Sequence, residues 1–484
     1  MLNDLFKIKP NFKEVEPVKL YYNVGCLLDI PTGTYIKGQK GENILNGGLG
    51  VLTAIAGKGN TFKSTLAHYM MLSAVSKVIS SGTGTYINTY DTEMNIHIDR
   101  LKTFASNFPE FKNNDIIQSG MWNITDKTLH TGNEWYKILK EFLRNEKLKN
   151  RSGYVFETPI MGADGKTIKT LFPTFGEIDS ISEFDTADTE EMQNKNELGE
   201  SGGNTIHMRL GLAKTRLLME LPGLCNSAAH YMLLTAHLGT EIPMQQGPYA
   251  VPTKKLQHLK MGDKIKGVTD KFFFLPNIFW QTVNSSLLIN QNTKGPEYPK
   301  TRDKVDEGST DLNIVTIRQL RNKAGPSGIT LEIIISQTEG VLPSLTEFHF
   351  IKENERYGLE GNNTQYNLVL YPQVKLSRTT VRSQIDSDPL LRKAIKFTAD
   401  LLQIKQVYKT LDMEIPSLKT LYEKLNNKYD FNILLNTRDF WTFNNYEHSV
   451  PFLSAFDLLE MYYDKYEPYW LNKTPSTTSK KKVV

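Results

Sequence analysis

The chain of 484 residues holds only two cysteines, Cys26 and Cys225. They show no metal-ligand spacing and build no disulfide framework. A thiolate zinc site and a disulfide-stapled secreted scaffold are therefore excluded, and a reducing, intracellular setting is expected. Long apolar runs are also missing. None reaches the roughly 20 residues of a bilayer-spanning helix, and the start, Met1 to Lys7, has no signal-peptide core, so no membrane partner is expected. Charge of one sign is scarce as well: 57 Lys and Arg face 53 Asp and Glu, a net +4. So mild an excess does not argue for a nucleic-acid partner, and a local basic stretch must carry that case. There is no internal repeat. What remains is ordinary for a globular protein, with 39% hydrophobic and 23% charged residues. The length suffices for one large domain and one or two small ones.

The chain is organised around Gly57-Lys58-Gly59-Asn60-Thr61-Phe62-Lys63-Ser64-Thr65. A β-prone run, Gly50 to Ala56, leads into it, and a helix-like run, Leu66 to Val78, follows. Strand, glycine loop and helix form the context in which backbone N–H groups cradle phosphates at a helix N-terminus. Lys63 is expected to reach the β- and γ-phosphates of ATP, and the Ser64 hydroxyl to sit on Mg²⁺. Phe62 stands where such loops carry their second glycine. Either the backbone avoids positive φ at this position, or the match is accidental.

Three later stretches add chemistry. Thr85 to Tyr90 reads as a strand followed by Asp91-Thr92-Glu93. In an open α/β sheet, ligands bind beyond the carboxyl ends of the strands. Glu93 is thus the candidate for polarising the attacking water, the alternative being that Asp91 and Glu93 merely cap a helix over Ile96 to Phe104. Phe172 to Ser180 ends in Asp179, a candidate for the Mg²⁺ shell, although Pro173, Gly176 and Glu177 weaken the strand signal before it. Tyr231 to Ala236 is a clean buried strand ending at His237, a candidate γ-phosphate sensor.

Two polar segments read as mobile loops, 185–205 and 238–268. The second carries Lys254, Lys255, Lys260, Lys264 and Lys266, suited to neutralising backbone phosphates of single-stranded DNA without reading bases, with Tyr249 and His258 placed to stack. A basic hairpin, Arg318 to Gly328, is suited to reach across a subunit interface, Arg321 serving phosphoryl transfer in trans. The expected organisation is an N-terminal arm over 1–20, a core over 21–350 with an inserted hairpin at 151–172, a linker over 351–385, a helical domain over 386–472 and a basic tail over 473–484. Residues 105–150 are expected to be mostly helical, a long helix is expected from Ile206 to Leu221, and Lys271 to Leu275 is expected as a strand.

Together these parts resemble the RecA-type ATPase core, and within it the phage recombinases of the UvsX-like group. Phe-Lys-Ser in the phosphate loop is similar to that group's own variant. Tyr90-Asp91-Thr92-Glu93 is similar to its Tyr-Asp-Ser-Glu, whose Glu is the catalytic base. Ile178-Asp179-Ser180 and Ala236-His237 with Thr240-Glu241 have counterparts there too. The resemblance spans roughly residues 22–350. It implies an α/β fold, a RecA-like P-loop core with a mostly parallel central sheet, joined here to a small, mainly helical C-terminal domain. It also implies an ATP hydrolase that uses Mg²⁺, binds single-stranded DNA, self-associates as a filament for recombination, repair and replication, and works in the cytoplasm of a host cell, a phage-infected one included. Hexameric replicative helicases share Glu93-Met94 and the Arg321-Asn322 … Gly325-Pro326-Ser327-Gly328 pattern, which implies a ring instead. Both families place a Lys two residues before that Arg, where this chain has Gln319.

Overall fold

The computed structural model describes residues 19–150, 153, 155–185, 203–240, 254–301, 310–362, 364–408 and 413–471, with only the backbone over 203–210. The N-terminal arm up to 18, the tail from 472, residues 186–202 and residues 241–253, with Glu241 and Tyr249, lie outside the described residues.

A ten-stranded sheet forms the centre. Its strands in chain order are β1 (Leu52–Gly57), β2 (Ile87–Asp91), β3 (Trp122–Asp126), β4 (Thr174–Asp179), β5 (His230–Thr240), β6 (Asp263–Ile265), β7 (Ile278–Leu287), β8 (Leu312–Asn322), β9 (Thr330–Ser336) and β10 (Gly340–Val341). The spatial order is β10-β9-β8-β7-β1-β5-β4-β2-β3, with β6 against the end of β5. The six strands from β7 to β3 are parallel. The last three, β8 to β10, add an antiparallel edge. The chain is thus mixed α/β with a large, mostly parallel central sheet.

Parallel strands need crossover helices, which cover both faces and bury the strands. Every residue of β1 and of β4 is buried. Strand β4 is stronger than its composition suggests because its polar atoms are paired inside. The Thr174 hydroxyl meets His230 Nδ1 and Lys147 Nζ, each at 2.9 Å. The Thr89 hydroxyl donates to Glu177 Oε2 at 3.1 Å. Gly176 is required where it stands, since a Cβ there would lie 2.6 Å from His230 Nε2.

Helix α1 (Lys63–Ser80) follows the glycine loop and is buried along most of its length. Helices α2 (Ile98–Ala105), α3 (Gly132–Glu141), α4 (Gly203–Ala228) and α5 (Pro343–Glu353) complete the core. Three expectations need correction. The stretch 105–150 is not mostly helical, because Trp122 opens a strand; its indole is buried and donates to Thr89 Oγ1 at 2.9 Å. Residues Asp270–Phe274 form a 3₁₀ turn, not a strand, and this lets Phe272 and Phe273 both pack on Phe279. The stretch read as a linker carries a three-stranded antiparallel sheet, Leu359–Asn362, Gln365–Leu368 and Tyr371–Leu376, and helix α6 (Val381–Ser387).

Strands Val155–Met161 and Thr167–Leu171 form a hairpin about the Asp164-Gly165 turn. Beyond residue 386 come α7 (Pro389–Val407), α8 (Leu418–Lys428), α9 (Phe431–Leu435) and α10 (Ala455–Tyr462). This helical unit docks on the core through buried polar contacts. Asp457 Oδ1 accepts from the Asn43 backbone N–H at 2.7 Å and its side-chain amide at 2.8 Å, and Tyr446 donates to Glu42 Oε1 at 2.7 Å.

Candidate nucleotide site

The glycine loop joins β1 to α1 under tight constraint. A Cβ on Gly57 would fall 1.8 Å from the Thr282 hydroxyl of β7, so only glycine fits there. Thr61 Oγ1 donates to the Lys58 carbonyl at 2.8 Å and shares a 2.7 Å bond with Thr282 Oγ1. Phe62 has φ 59° and ψ 27°, the left-handed region. Of the two alternatives, that the backbone avoids positive φ here is therefore wrong. The turn into α1 demands the conformation that glycine usually supplies, at a strain of about 1–2 kcal/mol, and the ring, half-buried against the core, returns part of it by packing. Asn60 is left-handed too, at φ 58°. Lys63 Nζ donates to the Lys58 carbonyl at 2.8 Å, and burial holds its pKa below the usual lysine value.

Asp91 and Glu93 divide the work that sequence left open. Asp91 accepts the backbone N–H groups of Glu93, Asn95 and Ile96 at 3.1, 2.9 and 2.9 Å, shaping the turn before α2. Glu93 faces the cleft instead. Its Oε1 lies 2.6 Å from His237 Nε2 and accepts the Ser180 hydroxyl at 3.0 Å, while Oε2 accepts the Asn95 amide at 3.0 Å. The His237 bond, more than any other contact, holds the Glu93 carboxyl down at about 2.

Asp179 closes β4 level with Asp91 of β2. It is buried, its Oδ1 accepts a hydrogen bond from the Thr235 hydroxyl, and the Ser64 hydroxyl stands close enough to act on its acidity. Burial raises its pKa. His237 lies level with Gly57, at the same end of the sheet. Its backbone N–H donates to Ser182 Oγ at 2.9 Å, and its carbonyl accepts the Lys266 N–H at 2.8 Å.

These groups surround one cleft of about 460 Å³, lined by residues 59–65, Glu93, Asp179 and His237. His97 and Arg100 close its far side from the α2 end, with Arg100 Nη2 3.5 Å from Thr65 Oγ1. Sequence reasoning missed both, because neither belongs to a motif and only the fold brings them in; Ser180 belongs to the quoted Ile178-Asp179-Ser180, and Thr235 to the strand before His237, but neither has a role assigned from sequence. The donor set suits a magnesium nucleoside triphosphate. The Ser64 hydroxyl and Asp179 carboxylate are oxygen ligands lining the same cleft beside a helix N-terminus, the chemistry Mg²⁺ and phosphate prefer.

The remaining candidates lie elsewhere. Arg321 pairs with Phe279, which pairs with Ala54, so it sits three residues below Gly57 and the hairpin tip beyond it points away from its own loop. Its guanidinium lies over the Phe274 ring at 5.9 Å. Gln319 is buried and donates to the Pro31 carbonyl at 3.2 Å, a position where a lysine would bury its charge. Lys254, Lys260, Lys264 and Lys266 are exposed, whereas Lys255 bonds Asp270 at 2.7 Å. His258 is not presented for stacking: its ring lies against Gly328, where a Cβ would meet it at 2.4 Å.

No helix among the described residues is long and apolar enough to cross a membrane. No family model and no curated protein matches the chain. Among solved structures it is similar to a DnaB-like replicative helicase, described with its interactions with primase, at 14% identity and a TM-score of 0.32. The match covers 60% of this chain and 57% of that one, so the chain spans little more than half the length of that helicase chain.

Proposed function

We propose that the chain is a Mg²⁺-dependent ATPase with a RecA-like core that works on single-stranded DNA as a self-assembled polymer, in the manner of UvsX-like recombinases. One observation carries this reading: Lys63, Ser64, Glu93, Asp179 and His237, from segments at the carboxyl ends of β1, β2, β4 and β5, converge on one cleft. Lys63 neutralises the terminal phosphates once they draw it off the Lys58 carbonyl. Ser64 and Asp179 would hold Mg²⁺, which would supply neutralisation of the phosphate charge. Glu93, ionised across neutral pH, orients the attacking water and accepts its proton. His237 holds Glu93 in place and, through its carbonyl on the Lys266 N–H, ties the cleft to the basic segment 254–266. Loss of the γ-phosphate thereby loosens the lysines that grip the DNA backbone.

The test is phosphate release measured with and without single-stranded DNA. Wild type turns over faster with DNA, Lys63→Ala is inactive, and Glu93→Gln binds nucleotide without turning over. Turnover by Glu93→Gln at the wild-type rate rejects the base assignment. Absence of any turnover in wild type leaves a RecA-like scaffold that has lost its chemistry. A second reading, a ring-forming replicative helicase, draws on the Arg321-Asn322 … Gly325-Pro326-Ser327-Gly328 hairpin tip. Rings rather than filaments on DNA favour it.

A further inference from the structure

Beneath the Ser64–Asp179 pair lies a second tier that the proposed ATPase does not use. His68 follows Ser64 by four residues of α1, just over one turn and about 6 Å along the axis. Glu177 precedes Asp179 by two residues of β4, roughly 6.6 Å, and so shares its face of the sheet. His68 Nε2 and Glu177 Oε1 come within 3.5 Å of each other. Both side chains are buried, Glu177 completely.

Three atoms here have no hydrogen-bond partner: His68 Nε2, Glu177 Oε1 and Asp179 Oδ2. A buried polar atom left unpaired costs about 1–3 kcal/mol. One ligand atom from each of the three residues lies within 4.8 Å of the others, which points to a shared occupant. We propose that His68, Glu177 and Asp179 form a binding site for a divalent transition-metal ion of the Zn²⁺ type, beneath the nucleotide cleft and distinct from its Mg²⁺. One imidazole nitrogen with two carboxylate oxygens is a Zn²⁺ ligand set, whereas Mg²⁺ keeps to oxygen and water.

The dimensions suit this occupant. Tetrahedral ligand atoms about 2.1 Å from an ion lie about 3.4 Å apart, so the widest pair, up to 4.8 Å now, must close by as much as about 1.4 Å, within reach of side-chain rotation in a histidine and two carboxylates. His68 and Asp179 both line the cleft, which gives the ion its entry path and leaves a fourth position for water or a phosphate oxygen. Asp179 retains lone pairs for both tiers. Outer contacts hold the ligands in place: Thr89 donates to Glu177 Oε2, Trp122 donates to Thr89, and the Trp122 ring stands edge-on to His68 at 5.6 Å.

The experiment uses the full chain without nucleotide, equilibrated with Zn²⁺ in a large excess of Mg²⁺, gel-filtered, and analysed by atomic emission. The expected result is a single Zn²⁺ retained per chain despite the Mg²⁺. Affinity should fall at least tenfold in His68→Ala and in Glu177→Gln. In wild type, Co²⁺ should quench Trp122 fluorescence, and prior loading with Zn²⁺ should prevent it. No retained Zn²⁺ in wild type overturns the site and leaves a bridging water as the occupant. Equal retention by both variants overturns it as well. The wild-type result stands even where a variant fails to fold. Omitting nucleotide separates failure of this site from failure of the ATPase.

Discussion

His237 Nε2 lies 2.6 Å from Glu93 Oε1, a contact that joins the segment after β2 to the end of β5. It sets both the orientation and the acidity of Glu93. The carboxyl is held at about 2, below its ordinary 4.5, so it stays charged until the pH falls through that lower value. If Glu93 is the base, wild type should then show no acid limb of turnover near neutral pH from this group. Without the imidazole bond its pKa climbs back. His237→Ala should bring an acid limb into the region of about pH 4–5 and lower turnover by about 10²-fold. Rate measured against pH checks this, and an unmoved acid limb would sink it.

Phe62 gives a test of backbone strain. Its φ of 59° suits glycine better than any residue with a Cβ. The ring returns part of the strain through packing, and alanine keeps the strain while losing the ring. Phe62→Gly should therefore be more stable than Phe62→Ala by about 1 kcal/mol, with nucleotide binding intact. Chemical denaturation of the two variants decides it; alanine as stable as glycine or more so would show that left-handed strain does not govern this turn.

The cleft was legible where its chemistry is local. The glycine loop announces itself by strand, spacing and helix, and Glu93, Asp179 and His237 each end a β-prone run. What stayed hidden depends on packing across the sheet. The left-handed Phe62 contradicts residue preference and is set by the turn into α1. Strand β4 looked broken because Glu177 and Gly176 are poor strand formers, yet Thr89 and His230 from neighbouring strands are what make them fit. The second tier of His68 and Glu177 has no motif at all: the residues lie over 100 positions apart and meet only because α1 packs on β4. The sheet over 359–376 escaped notice because its strands are only four to six residues long.

Asp457 anchors the C-terminal helices to the core. It accepts two donors of Asn43, and its other oxygen accepts the Ser454 N–H at 3.0 Å. Asp457→Ala leaves these donors buried without an acceptor and should destabilise the protein by about 2–3 kcal/mol. Burial raises the Asp457 pKa to about 7 from 3.8. A raised pKa means that the folded state holds the proton more tightly. This stabilisation is complete below about pH 3.8 and is lost as the pH rises through about 7. Melting temperature should thus decline over that window in wild type and decline less in Asp457→Ala. Parallel declines would remove Asp457 from the account.

The lysines of the segment after residue 253 are not equivalent. Lys255 is engaged by Asp270 at 2.7 Å, while Lys254 and Lys260 are exposed. If the exposed pair neutralises DNA phosphates, removing both should reduce the slope of log affinity against log salt by about 1.4, at about 0.7 per phosphate on a single strand. Lys255→Ala should change the slope less. Fluorescence anisotropy with a labelled oligonucleotide across a salt series measures both. A slope unchanged in the double variant would move the DNA contact to another face.

Arg321 bears on assembly. The strand register sets it three residues below Gly57, and the tip from Lys323 to Ile329 continues away from the cleft, so within one chain it cannot serve its own loop. Phe274, half exposed beneath its guanidinium, adds an apolar surface at the same end. A head-to-tail contact would bring this end of one subunit to the phosphate loop of the next, with ATP between them. Such a contact gives a filament when the rotation does not close and a ring when it does. Arg321→Ala should then lose DNA-stimulated turnover by about 10³-fold while each chain still binds nucleotide. Mixing it with Lys63→Ala should restore part of the activity, since a cleft from the first variant can receive an arginine from the second. Electron microscopy with a non-hydrolysable ATP analogue and single-stranded DNA shows the form of the assembly. Filaments of wild type that vanish in Arg321→Ala support the recombinase reading together with the trans arginine, and rings support the helicase. Monomers in every condition, or mixtures no more active than their parts, would exclude Arg321 from the neighbour's cleft.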